Sequence, residues 1–331
     1  MVVLRNTICV LLITFTIIGC HSEVEHSILM DKACTLYPSE VVDDSISASH
    51  VFVLCDSIQV HQLPYLSGGP VLGWKKVGTD SISYWGEYGR RDGRIMSPLV
   101  SRNGNMILIN DFVKKQIWVL TVTAQGLSNI AGPIDSDIKS QCVIPVSNHD
   151  CLYLNPHSFI TGRQRVLLSK NNFKPANCIR TKYNCMNVLH GSIATNGRGK
   201  IVYVDYVTSH VEILDESGHL ETIIEKENLE HQEYYTDSKE IVFMGYVCQS
   251  FIDVCPFKNG FAALYRPMII SDKDSINNDE SEIYVFDWNG NQCSHYVIRA
   301  VVENLSLSYD GRFLFCFESM DGNKKLSVYE L

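Results

Sequence analysis

Ser97-Pro98-Leu99-Val100-Ser101-Arg102-Asn103-Gly104-Asn105-Met106-Ile107-Leu108-Ile109 decides the fold. It contains a strand, a turn at Asn103-Gly104 and a second strand with alternating apolar positions. Asn-Gly is the strongest short hairpin signal, because both residues tolerate the positive φ that a tight turn requires. The pattern recurs as Ser192-Ile193-Ala194-Thr195-Asn196-Gly197-Arg198-Gly199-Lys200-Ile201-Val202-Tyr203-Val204 and as Ile252-Asp253-Val254-Cys255-Pro256-Phe257-Lys258-Asn259-Gly260-Phe261-Ala262-Ala263-Leu264. It appears again as Leu305-Ser306-Leu307-Ser308-Tyr309-Asp310-Gly311-Arg312-Phe313-Leu314-Phe315. Weaker copies run from Val143 to Leu154, turning near Asp150, and from Ser45 to Leu54, turning near Ser49.

The six turns are spaced by roughly 46 to 63 residues, close to the roughly 40 to 50 of a four-stranded propeller blade. Each hairpin is followed by a third strand. Val211 to Leu214 and Ile283 to Phe286 both run into Asp-x-x-Gly, at Asp215-Gly218 and Asp287-Gly290; Ile117 to Leu120 and Leu326 to Tyr329 are shorter versions. The expected fold is all-β, a six-bladed β-propeller, preferred over an all-β sandwich with evenly spaced strands. Only Ile223 to Glu233 could carry a short helix. The last blade ends after its third strand, so an N-terminal strand is expected to close it and remove an exposed sheet edge. Met30 to Tyr37 is the natural donor.

The chain has 331 residues, a formal net charge of −9 and no basic cluster, which sets aside nucleic acid and anionic lipid as partners. Arg5 and the apolar run Thr7 to Ile18, ending at Gly19-Cys20, read as a signal peptide. The run falls short of the about 20 residues of a membrane span. Ile17-Ile18-Gly19-Cys20 resembles the bacterial lipobox, which implies cleavage before Cys20 and acylation of it. The expected organisation is a signal peptide over residues 1–19, a tether over 20–29 and a propeller over 30–331.

Cys178 with Cys185, Cys248 with Cys255, and Cys142 with Cys151 are candidate disulfides, each against the alternative of a free buried thiol. Cys55 and Cys316 fit apolar strands as free thiols. Cys178, Cys185 and His190 lack the spacing of a zinc site, and Asp272 to Glu280 lacks that of a calcium loop.

Nearly the whole chain after the signal resembles the TolB-like six-bladed propeller lipoproteins of Bacteroidota. Trp85-Gly86-Glu87-Tyr88-Gly89-Arg90-Arg91-Asp92-Gly93-Arg94-Ile95 corresponds to that family's aromatic-Gly stretch and Gly-Arg-Gly-Pro-Gly-Glu-aromatic loop. Gly89, Arg90 and Gly93 match; Arg91, Asp92, Arg94 and Ile95 depart. The resemblance implies the propeller fold, a lipid anchor and a cell-envelope location at the outer membrane.

No nucleophile elbow, phosphate-binding loop or His-Glu-x-x-His helix is present. No metal or cofactor is expected, and no catalytic residue stands out. Trp85, Tyr88, Arg90, Arg91 and Arg94 form the best candidate recognition surface, since aromatics and arginines carry interfaces. His190 precedes an innermost strand and could reach the channel. The expected function is binding or scaffolding of an envelope protein, peptide or glycan. The alternative is a lyase or hydrolase with its site in the central channel.

Overall fold

Six antiparallel blades follow one another along the chain, each with its first strand innermost, and Tyr234–Thr236 with Ile241–Phe243 makes a separate two-stranded sheet. The computed structural model describes residues 24–28, 33–43, 47–123, 125–138, 140, 142–154, 166–169, 191–205, 210–226, 234–236, 241–243, 247–270, 275–277, 279–320 and 323–331. The first blade comprises His50–Leu54, Ile58–Gln62, Leu72–Lys76 and Ser83–Trp85; the second comprises Pro98–Asn103, Met106–Asp111, Gln116–Thr123 and Gly126–Asp135. The third shows Val143–Pro145, Cys151–Leu154 and Val166–Ser169. Gly191–Thr195, Lys200–Asp205, His210–Asp215 and Leu220–Lys226 make the fourth. The fifth is built on Val247–Phe257, Gly260–Ile270, Ser281–Asp287 and Gln292–Ile298, and the sixth on Val301–Leu307, Phe313–Met320 and Asn323–Glu330.

Strand alternation closes the ring. Successive side chains of a strand face opposite sides of its sheet, so each blade supplies one apolar set to each neighbour. In the second blade, Ile107 and Ile109 pack against Phe52 and Val60 of the first, whereas Leu108 packs against Val143 and Tyr153 of the third. In the fourth, Ile201 and Tyr203 meet Ile144 and Leu152 of the third, while Val202 and Val204 meet Phe251 and Phe261 of the fifth. Cys316 and Leu314 of the sixth blade join Leu264 and Ile283 of the fifth, and its Phe315 and Phe317 join Val51 and Val53 of the first. Six apolar seams thus hold a six-bladed β-propeller.

The N-terminal segment straps three rims in order. Val24–Ile28 pairs in parallel with the outer strand of the fourth blade, with Val24 opposite Thr222 and Ile28 opposite Lys226. Cys34–Leu36 does the same on the fifth, and Glu40–Asp43 pairs antiparallel with Asn323–Glu330 as the missing fourth strand of the sixth. An N-terminal strand does close the last blade, but it is Glu40–Asp43 rather than Met30 to Tyr37. Part of the span expected as tether is strand from Val24 onward, and Ile28 is buried in the seam between the fourth and fifth blades.

Two local expectations change. Of the span Ile223 to Glu233, residues 223–226 lie in strand Leu220–Lys226 and not in a helix, because Thr222 and Ile224 alternate inward between two strand neighbours, and residues 227–233 lie outside the described residues. The turn placed near Ser49 lies one strand later, at Cys55-Asp56, where Ser57 N–H bonds Leu54 C=O at 3.2 Å. The Asp-x-x-Gly turns behave alike: Asp215 Oδ1 accepts Ser217 and His219 N–H at 2.8 and 2.9 Å, and Asp287 Oδ1 accepts Asn289 and Asn291 N–H at 2.8 and 2.9 Å.

The innermost strands begin on one face of the ring, called upper here, and end at hairpin turns on the lower face. Val24 stands toward the lower end of the rim, since it pairs with the early part of an outer strand that climbs toward the upper face.

Candidate functional site

All six innermost strands line one central cavity of about 670 Å³. Its walls are largely apolar, with Phe52, Val100, Ile144, Ile193, Ile252 and Leu307 contributed by different blades. Charged side chains enter from four blades: His50 from the first, Arg102 from the second, Asp253 from the fifth and Glu303 from the sixth. A mid-sized, mostly apolar cavity with a few convergent polar groups is the usual form of a small-molecule site.

Arg102 crosses the channel. Its strand neighbours Ser101 and Asn103 face the third blade, where Ser101 donates to Val143 C=O and Asn103 Nδ2 donates to Pro145 C=O at 2.9 Å. Arg102, on the opposite side of the strand, passes the Phe52 ring at 5.0 Å from its centroid. Its guanidinium then donates to Leu305 C=O and Ser306 Oγ of the sixth blade. Ser306 Oγ also accepts Val53 N–H at 3.1 Å, so the first, second and sixth blades meet at one hydroxyl.

Asp253 completes the junction from the other side. Its carboxylate accepts Leu305 N–H at 3.0 Å, Val254 N–H at 2.9 Å and Ser192 Oγ at 3.3 Å. Desolvation inside the ring raises its carboxyl above the usual range, outweighing the charge of Arg102 and these hydrogen bonds. The pairing register breaks immediately before Asp253, between Phe251 and Asp253, and again between Val302 and Asn304. Such bulges re-aim side chains and recur beside functional sites; here both precede a polar group turned into the channel.

Around this junction, His50 stacks on Phe52 with ring centroids 6.3 Å apart. The surrounding protein lowers its pKa by desolvation, against the pull of Asp253 and Glu303. Glu303 is held by Lys324 at 3.1 Å. Asn304 donates through Nδ2 to Val51 C=O at 2.6 Å, while its buried Oδ1 has no partner. Burial pushes the Cys142 thiol up to about 12, which makes it a poor nucleophile.

The loop singled out in the sequence lies on the upper face, braced between two turns. Trp85 packs half-buried against the seam of the first and second blades. Tyr88 is buried, donates its hydroxyl to Leu63 C=O at 2.7 Å and meets the Tyr65 ring edge-on at 5.0 Å. Arg94 pairs with Glu87 at 2.7 Å, and Arg90 and Arg91 face solvent. Asp111 accepts Met96, Ser97 and Lys114 N–H at 2.6, 3.3 and 3.1 Å, and Lys114 Nζ donates to Arg91 and Arg94 C=O, each at 2.6 Å. Exposed Tyr65, Leu66, Phe112 and Val113 stand on the turns to either side. None of Trp85, Tyr88, Arg90, Arg91 and Arg94 lines the cavity, whose lining on this blade begins at Pro98.

Cys20, Cys178, Cys185 and His190 lie outside the described residues. Two expected disulfides are corrected. Cys142 and Cys151 are free because they face opposite sides of the third blade, Cys151 toward the second and Cys142 toward the fourth. Cys255 is free and accepts Leu307 N–H at 3.3 Å. Cys248 stands seven residues before it on one strand, roughly 20 Å away at about 3.3 Å per residue, beyond the reach of a disulfide. Cys316 is a buried free thiol, whereas Cys55 is exposed in a turn.

Sequence reasoning missed His50, Arg102, Asp253, Glu303 and Asn304, since each is a single polar residue on a different stretch of chain. One signal was available: Asp253 sits between Ile252 and Val254 in an apolar run, where an acid must find partners or a functional reason.

No family profile matches the chain, and no curated protein matches it. Among solved structures, a member of the DUF4221 family from Bacteroides vulgatus is similar at 8% identity, covering 89% of this chain and 96% of that one, with a TM-score of 0.49. A putative exported protein from Bacteroides fragilis gives 7% identity, 93% and 99% coverage and a TM-score of 0.44. A mitotic checkpoint complex gives 12% identity, 99% coverage of both chains and a TM-score of 0.44. At this level of similarity no ligand, partner or activity carries over.

Proposed function

We propose that the chain is a binding module of the bacterial cell envelope, tethered to the outer membrane through acylated Cys20 and engaging a protein, peptide or glycan. The observation that carries the reading is the division of the ring into two ends. Exposed Arg90 and Arg91, with Tyr65, Leu66, Phe112 and Val113, stand on braced upper turns. Val24, separated from Cys20 only by residues 21–23, lies toward the lower end of the rim. The four steps from Cys20 to Val24 span at most about 14 Å, so an anchor at Cys20 would hold the lower rim near the membrane and leave the upper face free. Cys20→Ala should move the folded protein into the soluble fraction; retention at the membrane counts against the anchor. Arg90→Ala with Arg91→Ala should reduce recovery of a crosslinked envelope partner, and unchanged recovery counts against the surface.

A second reading, a channel lyase or hydrolase, rests on His50, Arg102, Asp253 and Glu303 lining one cavity from four blades. Binding is preferred because Arg102, Asp253 and Glu303 already have hydrogen-bonded or ion-paired partners in the ring. Turnover of envelope glycans that His50→Ala abolishes without unfolding would reverse that preference.

A further inference from the structure

We infer that the central channel is a binding site for a small carboxylate bearing a neighbouring hydrogen-bond donor, a hydroxy- or amino-carboxylate, with Arg102 taking the carboxylate and Asn304 Oδ1 the donor. This site is distinct from the upper-face surface.

Two unmet demands meet in the cavity. Arg102 is the sole lysine or arginine among the described residues that line it, and its two protein hydrogen bonds go to a carbonyl and a hydroxyl rather than to a carboxylate. Guanidinium offers five N–H donors in a planar fork, so donors remain for an anion, with the charge shared with Asp253 across the junction. Asn304 is 5% exposed, yet its Oδ1 has no partner, and a buried orphan acceptor costs about 1 to 3 kcal/mol. That cost makes an incoming N–H or O–H favourable at this atom.

The two groups are near each other by construction. Arg102 binds Leu305 C=O and Ser306 Oγ, while Asn304 is the residue before Leu305 on the same strand. Asn304 and Ser306 both bond the innermost strand of the first blade, through Val51 C=O and Val53 N–H, so their side chains share one side of the strand. Residues two apart on a strand are about 7 Å apart, a separation one small molecule spans. The bulge before Asn304 sets that aim. Apolar walls from Phe52, Val100 and Leu307, with the volume of about 670 Å³, leave room for an apolar substituent.

Four matched probes separate the terms by calorimetry on the full chain in detergent: phenyllactate, phenylalanine, phenylpropionate, which lacks the donor, and phenylalaninol, which lacks the carboxylate. Phenyllactate or phenylalanine should bind about tenfold or more tighter than either truncated probe, the worth of one hydrogen bond to a charged or otherwise orphaned group. Preference between the two tells whether the donor is a hydroxyl or an amine. Asn304→Ser should erase the advantage over phenylpropionate while leaving phenylpropionate itself unchanged. Arg102→Gln should abolish binding of the carboxylates; should that variant fail to fold, Arg102→Lys, which keeps the charge without the fork, should weaken them about tenfold. Failure of all four probes to bind at millimolar concentration, equal binding of all four, or wild-type affinity in the folded Arg102 variant overturns the assignment.

Discussion

Glu282→Gln should destabilise the ring strongly at neutral pH and less in acid. The Glu282 carboxylate accepts Lys226 Nζ at 3.0 and 3.1 Å, His295 Nε2 at 2.9 Å and the Tyr284 hydroxyl. Lys226 ends the outer strand of the fourth blade, so this network bridges the seam to the fifth; its ammonium lies 3.6 Å from the Tyr265 ring centroid. Desolvation alone would raise the carboxyl, yet hydrogen bonds from His295 and Tyr284 and the charge of Lys226 hold it at about 2, below its ordinary 4.5. A depressed acid contributes stability that is present above about pH 4.5 and lost as pH falls toward 2.

The full shift corresponds to roughly 3.4 kcal/mol. The side chain is 26% exposed, so solvent screening reduces the contribution to about 1.5 to 2 kcal/mol. Removing the charge also strands Lys226, whose side chain is 8% exposed; breaking a buried pair costs about 3 to 5 kcal/mol, and screening brings the total deficit to about 2 to 3 kcal/mol. Near pH 3 the wild type has lost about 1 kcal/mol of its advantage, because unfolded Glu282 is then protonated while the folded one is not. Urea unfolding of both proteins at pH 7 and pH 3 measures this. A deficit below about 0.5 kcal/mol at pH 7, or one that does not shrink in acid, refutes the reasoning.

Three further outcomes follow from local geometry. Gly260→Ala would bring a Cβ within 1.9 Å of Phe286 O, a backbone atom that no rotamer change can move, and should cost about 3 kcal/mol or more by urea melts; Gly104→Ala, with open space around it but φ +58°, should cost only about 1 kcal/mol. Ile28→Ala should cost about 2 to 4 kcal/mol and raise amide exchange along Leu220–Lys226, since Ile28 fixes the strap on that strand. Asp111→Ala should cost about 1 to 3 kcal/mol and make the 86–97 loop protease-sensitive, because three backbone donors lose their acceptor.

Hairpins were legible where turn chemistry is local. Asn103-Gly104, Asn196-Gly197, Asn259-Gly260 and Asp310-Gly311 announce themselves, and strand alternation does the rest. The first blade was misread by one strand because its turn uses Cys55 and Asp56 at φ 51° and 56°: two non-glycine residues hold the left-handed conformation, so no glycine marks the place. The strap left almost no trace, since its three strands of five, three and four residues are stabilised by the edges they cover and not by their own pattern. Edge pairing is a property of the partner.

The channel was illegible for a related reason. Alternation predicts apolar residues wherever a strand faces a neighbour, and it holds at Val51, Val53, Leu305 and Leu307. It fails at Arg102, Asp253 and Asn304, and two of those failures coincide with bulges that shift the register by a residue. A bulge leaves no compositional mark, yet it converts an in-and-out strand into one that re-aims a polar group. Conflict between local pattern and fold is expected at functional sites, and in this ring the conflicts gather around the single residue Leu305, whose N–H binds Asp253 and whose C=O binds Arg102. Ring closure and ligand recognition therefore draw on the same few bonds, so occupancy of the channel should stiffen the junction between the first, second, fifth and sixth blades.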